Sequence, residues 1–180
     1  MKLGVFVGSF NPVHEGHIKV VNHLLDNGYV DKVLIIATPN YWDKQDLVKV
    51  EDRINMLRIY ETDNIIIDTK HNMYEYTYQV LRSLKKDSKD ELYLIIGADN
   101  VINLDKWKNI DEILENKIIV LNRDNIDINK YLDKFDESKF IVVSDFDSLN
   151  LSSTEIRNGN YKGLNPRVRE YIVKHNLYKN

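Results

Sequence analysis

The 180 residues predict a doubly wound, mostly parallel α/β sheet with flanking helices, formed as one domain over residues 1–180. Three observations predict it. Short runs rich in Val, Leu and Ile recur along the chain, as strands buried on both faces require. Between them lie segments with apolar residues three and four apart, the period of a helix. Gly8, Thr38, Gly97 and Asn122 each fall just after an apolar run. Right-handed crossovers then bring all four to one edge of the sheet, the edge at which such sheets bind ligands.

The first strand is read at residues 3–7, stopped by Gly8. A helix follows at about residues 16–27, with Ile18, Val21, Leu24 and Leu25 at helical spacing and Gly28 past its end. KVLIIA at 32–37 is the second strand, closed by Thr38 and Pro39, and residues 40–48 read as a polar, aromatic loop. Residues 51–60 form a helix that buries Ile54, Met56 and Leu57, and 65–68 a third strand. A helix at 76–85 carries Val80, Leu81 and Leu84. LYLII at 92–96 is the fourth strand, 111–115 reads as helical, and KIIVL at 117–121 and KFIVV at 139–143 are the last two strands. Helices at 153–158 and 166–175 finish the chain, and the polar stretch 124–138 is too short for a domain of its own.

Composition narrows the function classes. Hydrophobic residues at 43% and charged residues at 29% give a globular balance, which argues against disorder. A formal net charge of -3 supplies no global basic field for nucleic acid, although a local basic cluster can still hold a small anion. The absence of cysteine excludes disulfides, thiolate metal sites and cysteine nucleophiles, and suits a cytoplasmic protein. No apolar run approaches the roughly 20 residues that span a bilayer, and MKLGVFVGSF lacks the apolar core of a signal peptide. The expectation is therefore a cytoplasmic protein with neither nucleic acid nor membrane as partner, with a homo-oligomer left open.

Two segments carry the chemistry. In GSFNPVHEGH, residues 8–17, Gly8 lets the backbone approach a ligand, Ser9 and Phe10 offer backbone N–H groups, and Asn11-Pro12 marks a turn. The following helix start presents unpaired N–H groups and a partial positive charge, which attract phosphate. His14 and His17 stand three apart, so one helical face directs both imidazoles at that phosphate. A zinc pair is the competing reading, but zinc adds a third protein ligand and Glu15 points off the shared face, so no metal ligand is assigned. Neither GxGxxG nor GK[ST] is present. In LSSTEIR, residues 151–157, Ser152 or Ser153 caps a short helix and Arg157 lies about one turn inside, where its planar fork can reach back to an anion. Taken alone, this could be a plain capping box with a solvated arginine.

With these motifs the chain resembles the nucleotidylyltransferase superfamily, whose (T/H)xGH signature matches His14 to His17 and whose SSTxIR element matches residues 152–157. That resemblance implies a Rossmann-like fold, an adenylyl transfer from ATP, and ATP phosphates held by His14, His17, Ser153, Thr154 and Arg157. His14, His17 and Arg157 are the implied catalytic residues, and Gly8, Ser9 and Phe10 the implied ATP-binding turn. IGADNVINLDKW, residues 96–107, resembles the IGxDxxxxLxxW segment of bacterial nicotinate-mononucleotide adenylyltransferases. The implied roles are Gly97 and Asp99 at the ATP ribose, Asn122 and Arg123 near the adenine, and Trp107 stacked on the pyridine ring of the acceptor. Tyr76 and Thr77 match the pair near the pyridine carboxylate, and Asn11 joins them on the acceptor side. EDRINML at 51–57 and the C-terminal REYI with HNLY match further family elements, so the likeness spans nearly the whole chain.

One segment departs. Where that branch carries PPHK, this chain has PNYWDK at 39–44. Lys44 is expected to bring a cation to the acceptor phosphate, and Trp42 is either a second ring platform or a loop anchor. The expected reaction is in-line attack of a pyridine mononucleotide's phosphate on ATP, with Mg2+ carried mainly on the ATP phosphates and His14, His17, Lys44 and Arg157 supplying a positive field. The product is deamido-NAD if the acceptor is nicotinate mononucleotide. Nicotinamide mononucleotide, phosphopantetheine, or a non-catalytic nucleotide sensor are the alternatives.

Overall fold

The computed structural model describes residues 1–40, 47–123, 125–146 and 151–179. Six strands, β1 (Lys2–Gly8), β2 (Lys32–Ala37), β3 (Ile65–Ile67), β4 (Glu91–Gly97), β5 (Lys117–Leu121) and β6 (Phe140–Val143), form one sheet in the order β3-β2-β1-β4-β5-β6. Every neighbouring pair is parallel. The doubly wound expectation holds, and the fold is Rossmann-like.

The register explains why the expected site residues meet. Gly8 aligns with Ala37 on one side of β1, and Gly97 aligns with Leu121 between β4 and β5. Strand order reverses between β1 and β4, so the loops leaving these two strands diverge and open a crevice.

Alternation along each strand divides the core into two layers. Val33, Ile35 and Ala37 of β2 pack with Val21 and Leu24 of α1 (Glu15–Asp26), Met56 and Leu57 of α2 (Val50–Leu57), and Val168 and Ile172 of the last helix. Leu34 and Ile36 face the other way, onto Val80, Leu81 and Leu84 of α3 (Thr77–Asp87). Full burial of each Val, Leu, Ile or Met side chain among them contributes about 1.5–3 kcal/mol, so the sheet beneath the crevice is packed on both faces.

Differences from the sequence expectation concern ends and short pieces. The helix expected over 51–60 is α-helical only to Leu57 and tightens into a 3-10 turn over Arg58–Tyr60. After β4 the chain folds into α4 (Ala98–Val101) and a 3-10 turn (Leu104–Lys106), both too short to show a period in sequence. The helix expected at 111–115 is α5 (Ile110–Ile113), and α6 (Asn129–Leu132) lies in the polar stretch 124–138. The chain ends in α7 (Ser153–Arg157) and α8 (Pro166–Lys174), each one residue shorter than expected. Among the described residues no helix is long and apolar enough to cross a membrane.

Candidate active site

The turn after β1 leads into α1 through His14, which is the cap of the helix and not part of it. Its Nδ1 accepts the Gly16 N–H at 3.0 Å, and the His14 backbone N–H donates to His17 Nδ1 at 3.1 Å. The two rings stack with centroids 3.7 Å apart and 21° between planes. The two rings stand side by side as expected, but through a reciprocal capping box in which His14 is the cap and only His17 lies in the helix. The chemical consequence of the box follows from the imidazole inventory. With both Nδ1 atoms used as acceptors, the neutral ring must carry its proton on Nε2, so each histidine offers one Nε2–H donor. Gly16 makes this arrangement fit, because a Cβ there would lie 2.8 Å from His14 Cε1.

Both rings are held neutral. Burial, assisted by the nearby Arg123 charge, lowers the His14 pKa to about 4. Burial first, then His14 and Arg123, hold His17 well below the ordinary histidine value. Burial thus disfavours the charged form of both rings, so what each offers the cavity is the donor of a neutral imidazole, where the sequence expectation has them share in a positive field. Phe10, buried with φ 47°, props His17 from the side at 5.0 Å between ring centroids. It supports the imidazole and does not face solvent.

Distant elements hold the back of the turn. The Ser9 carbonyl accepts from Arg53 Nη1 at 2.9 Å, the Asn11 carbonyl from Arg157 Nη1 at 2.8 Å, and the Pro12 carbonyl from Ser153 Oγ at 2.8 Å. The Asn11 side-chain Oδ1 accepts from Tyr178 Oη at 2.7 Å and from the Val48 N–H at 3.3 Å. Arg53 is fully buried, and it also donates to the Val48 carbonyl and to Asn40 Oδ1. Sequence reasoning matched Arg53 and Tyr178 to family elements without giving either a role. Their signal was a charged residue one turn before the apolar pair Met56 and Leu57 and an aromatic near position 180.

The histidines open onto a cavity of about 500 Å³. Gly97, Asp99, Arg123 and Ser153 share its lining with His14 and His17, and Phe6, Val20, Leu121 and Phe146 give it an apolar side. The structure thus brings six of the expected ATP residues to one concavity at the β1/β4 crevice. A polar end with two fixed donors and one guanidinium, beside an apolar slot, suits a phosphate chain joined to a flat base.

Arg157 does not join them. It lines a neighbouring cavity of about 540 Å³ with Thr154, Lys49, Asp52 and Tyr178, and its second nitrogen donates to Thr154 Oγ1 at 3.2 Å. The sequence expectation placed Ser153, Thr154 and Arg157 together on one triphosphate; α7 sends Ser153 to one cavity and the other two to the next. Asn122 is also occupied elsewhere. Its amide accepts the Ile126 N–H and donates to the Ile126 carbonyl, shaping the turn after β5.

Of the residues expected on the acceptor side, Tyr76 caps α3 while Thr77 begins it. Lys108 Nζ stands 4.6 Å from the Tyr76 ring centroid, so the start of α3 meets the segment that carries Trp107. Trp107 is half-buried against the core layer that α3 covers. Trp42 and Lys44 lie outside the described residues.

Comparison with known proteins places these features in context. Residues 5–159 match the model of the cytidylyltransferase-like family. The chain is 32% identical to a probable nicotinate-nucleotide adenylyltransferase of Flavobacterium johnsoniae, over 99% of this chain and 100% of that one. It is 34% identical to the protein of the same name from Endomicrobium trichonymphae, over 99% of each. Among solved structures, the nicotinic acid mononucleotide adenylyltransferase of Plasmodium falciparum complexed with NaAD shares the fold with a TM-score of 0.80, at 23% identity over 98% of this chain and 97% of that one.

Proposed function

This chain belongs to the cytidylyltransferase-like family and, within it, to the nicotinate-nucleotide adenylyltransferases, and on that basis we propose that it transfers the adenylyl group of ATP to nicotinate mononucleotide. The products are nicotinate adenine dinucleotide (deamido-NAD) and pyrophosphate, which places the reaction in NAD biosynthesis. The observation that carries the reading is the capping box of His14 and His17, with two Nε2–H donors fixed at a helix start beside Arg123 in one cavity.

The chemistry asks little of the protein in proton transfer. An acceptor phosphate oxygen forms a bond to the α-phosphorus as the bond from that phosphorus to the β-bridging oxygen breaks. The attacking oxygen is already anionic, so no general base is needed, and rate comes from alignment and from stabilising charge that develops on the phosphoryl oxygens. His14 and His17 donate to those oxygens through Nε2. Arg123 supplies the cation of the cavity, and the start of α1 adds its partial positive charge. Arg157 serves by fixing the Asn11 carbonyl, and its charge acts from the neighbouring cavity.

Among the described residues no group of three or more His, Asp or Glu could cage a metal ion. Magnesium is proposed to arrive on the ATP phosphates and to keep several waters, where it would supply further charge neutralisation. Trp107, with Tyr76 and Thr77, is proposed to receive the pyridine ring, and Lys44 and Trp42 to act on the acceptor from the loop at 39–44. We take residues 1–180 to work as one catalytic domain in the cytoplasm.

The test is a pyrophosphate-release assay with ATP, magnesium and a panel of nicotinate mononucleotide, nicotinamide mononucleotide and phosphopantetheine. The reading expects nicotinate mononucleotide to give the highest kcat/KM. Preference for phosphopantetheine, or no release with any acceptor, would reject it.

A further inference from the structure

Among the described residues five non-glycine positions adopt a positive φ: Phe10, Asn109, Asn125, Asn176 and Tyr178. Asparagine tolerates the left-handed region, because its short polar side chain bonds locally. For a bulky aromatic it is a strained conformation that persists only where the surroundings impose it. The two aromatics in this set, Phe10 at φ 47° and Tyr178 at φ 58°, stand on either side of one hydrogen bond. Phe10 precedes Asn11 in the chain, and Tyr178 Oη donates to Asn11 Oδ1 at 2.7 Å across 167 residues of sequence.

The bond lies at a junction. The same Asn11 oxygen accepts from Val48 N–H, at the exit of the loop that follows β2, and the Asn11 carbonyl accepts from Arg157. Asn11 is buried at 6% exposure, while Tyr178 is half-buried and lines the cavity that also holds Arg157 and Thr154. Three residues further on from Asn11 is His14, whose ring must stay in register with Gly16 and His17 for both Nε2–H donors to be aimed.

We infer that Tyr178 is a positioning residue for catalysis: its hydroxyl, delivered by a strained turn at the end of the chain, sets the register of the turn that carries His14. The inference rests on the adenylyltransferase reading, and it adds that the C-terminal turn is part of the active-site apparatus. Tyr178 touches neither histidine and acts through Asn11. Loss of the hydroxyl loosens the turn, and a displacement of even part of an ångström at the histidine donors weakens their bonds to the phosphates in the bound state and more strongly in the transition state.

The experiment compares Tyr178→Phe, Asn11→Ala and the double variant in steady-state pyrophosphate release, with Tyr171→Phe as a control. Tyr171 Oη donates to Asp52 Oδ1 at 2.7 Å, so the control breaks another tie of the C-terminal helix without touching the turn. Tyr178→Phe is expected to lower kcat about fivefold, the equilibrium weight of one neutral hydrogen bond, and to lower the melting temperature by no more than roughly 4 °C, as Tyr171→Phe should too. In the Asn11→Ala background the same substitution should change kcat by less than about twofold, since the partner is gone. Tyr171→Phe should leave kcat within about twofold. Unchanged kcat in Tyr178→Phe, an undiminished effect in the Asn11→Ala background, or an equal loss in Tyr171→Phe overturns the inference. If wild type itself releases no pyrophosphate with any acceptor, the reaction is refuted instead. The clamp is then read from the affinity for a non-hydrolysable ATP analogue by calorimetry. Tyr178→Phe must weaken that affinity at least about threefold, and equal affinity overturns the clamp.

Discussion

His14 uses its two nitrogens for two different purposes, and a single pair of substitutions separates them. Its Nδ1 caps α1 by accepting the Gly16 N–H, and its Nε2–H is the donor proposed to meet phosphate. His14→Ala removes both. Loss of an N-cap acceptor costs about 1 kcal/mol, which for a chain of this size lowers Tm by roughly 2–4 °C. Loss of a donor to developing charge costs about 10²–10³ in kcat. His14→Asn restores only the cap. Asparagine is among the best N-caps, but its side chain is too short to place a donor where Nε2 stands. The asparagine variant should therefore melt within about 1 °C of wild type and still lose about two orders of magnitude in kcat. Thermal denaturation followed by circular dichroism and continuous pyrophosphate detection report the two effects separately. If His14→Asn turned over within threefold of wild type, or melted as early as His14→Ala, the division of labour between the two nitrogens would be refuted.

Stability should fall on both sides of neutrality, for opposite reasons. The folded pKa of His14 is depressed to about 4 from 6.5, so between these values the unfolded chain binds a proton that the folded protein refuses. His14's contribution is complete above pH 6.5 and falls towards pH 4 by an amount on the order of 3 kcal/mol; urea titrations across that window should show the loss, and His14→Asn should make the slope shallower, with the share of His17 remaining. His71 behaves oppositely: burial alone would lower its pKa, but bonds from its two ring nitrogens to Asp68 (2.8 Å) and Asp87 (2.9 Å) outweigh burial and raise it. Its contribution is complete below pH 6.5 and disappears as pH rises through the folded pKa, so His71→Gln should remove that alkaline slope in the same titrations. Arg53→Met should destabilise by about 3–5 kcal/mol, because the acceptors at Ser9, Val48 and Asn40 all lose their donor; a calorimetric Tm shifted by less than about 3 °C would contradict this. Trp107→Ala should raise the KM for the pyridine acceptor at least about tenfold while leaving that for ATP within twofold, as expected for an aromatic face that meets only the acceptor ring.

The sequence made the sheet legible because parallel strands buried on both faces leave uninterrupted runs such as KVLIIA and LYLII, and the glycines ending β1 and β4 mark the ligand edge. It also marked the helix start at His14 and His17. What it concealed was their chemistry. Spacing three apart reads as one helical face, whereas the ring of His14 turns back to cap, and only the bonds to Gly16 and His17 reveal the tautomers. Nor could local pattern assign the partners of the turn. Arg53, Arg157 and Tyr178 reach residues 9–11 from 44, 146 and 167 positions away, and such pairings exist only after the strands have been ordered. The division of LSSTEIR between two cavities has the same origin, since a five-residue helix shows one continuous motif in sequence but two sides in space.

The proposed reaction is tested most directly by mass spectrometry of the products formed from ATP, magnesium and nicotinate mononucleotide. The expected result is one new species, nicotinate adenine dinucleotide, appearing mole for mole with pyrophosphate and at least a hundredfold (about two orders of magnitude) more slowly when His17 is replaced by alanine. Finding ADP and free phosphate without a dinucleotide, or a dinucleotide whose rate of formation ignores the loss of His17, would contradict it.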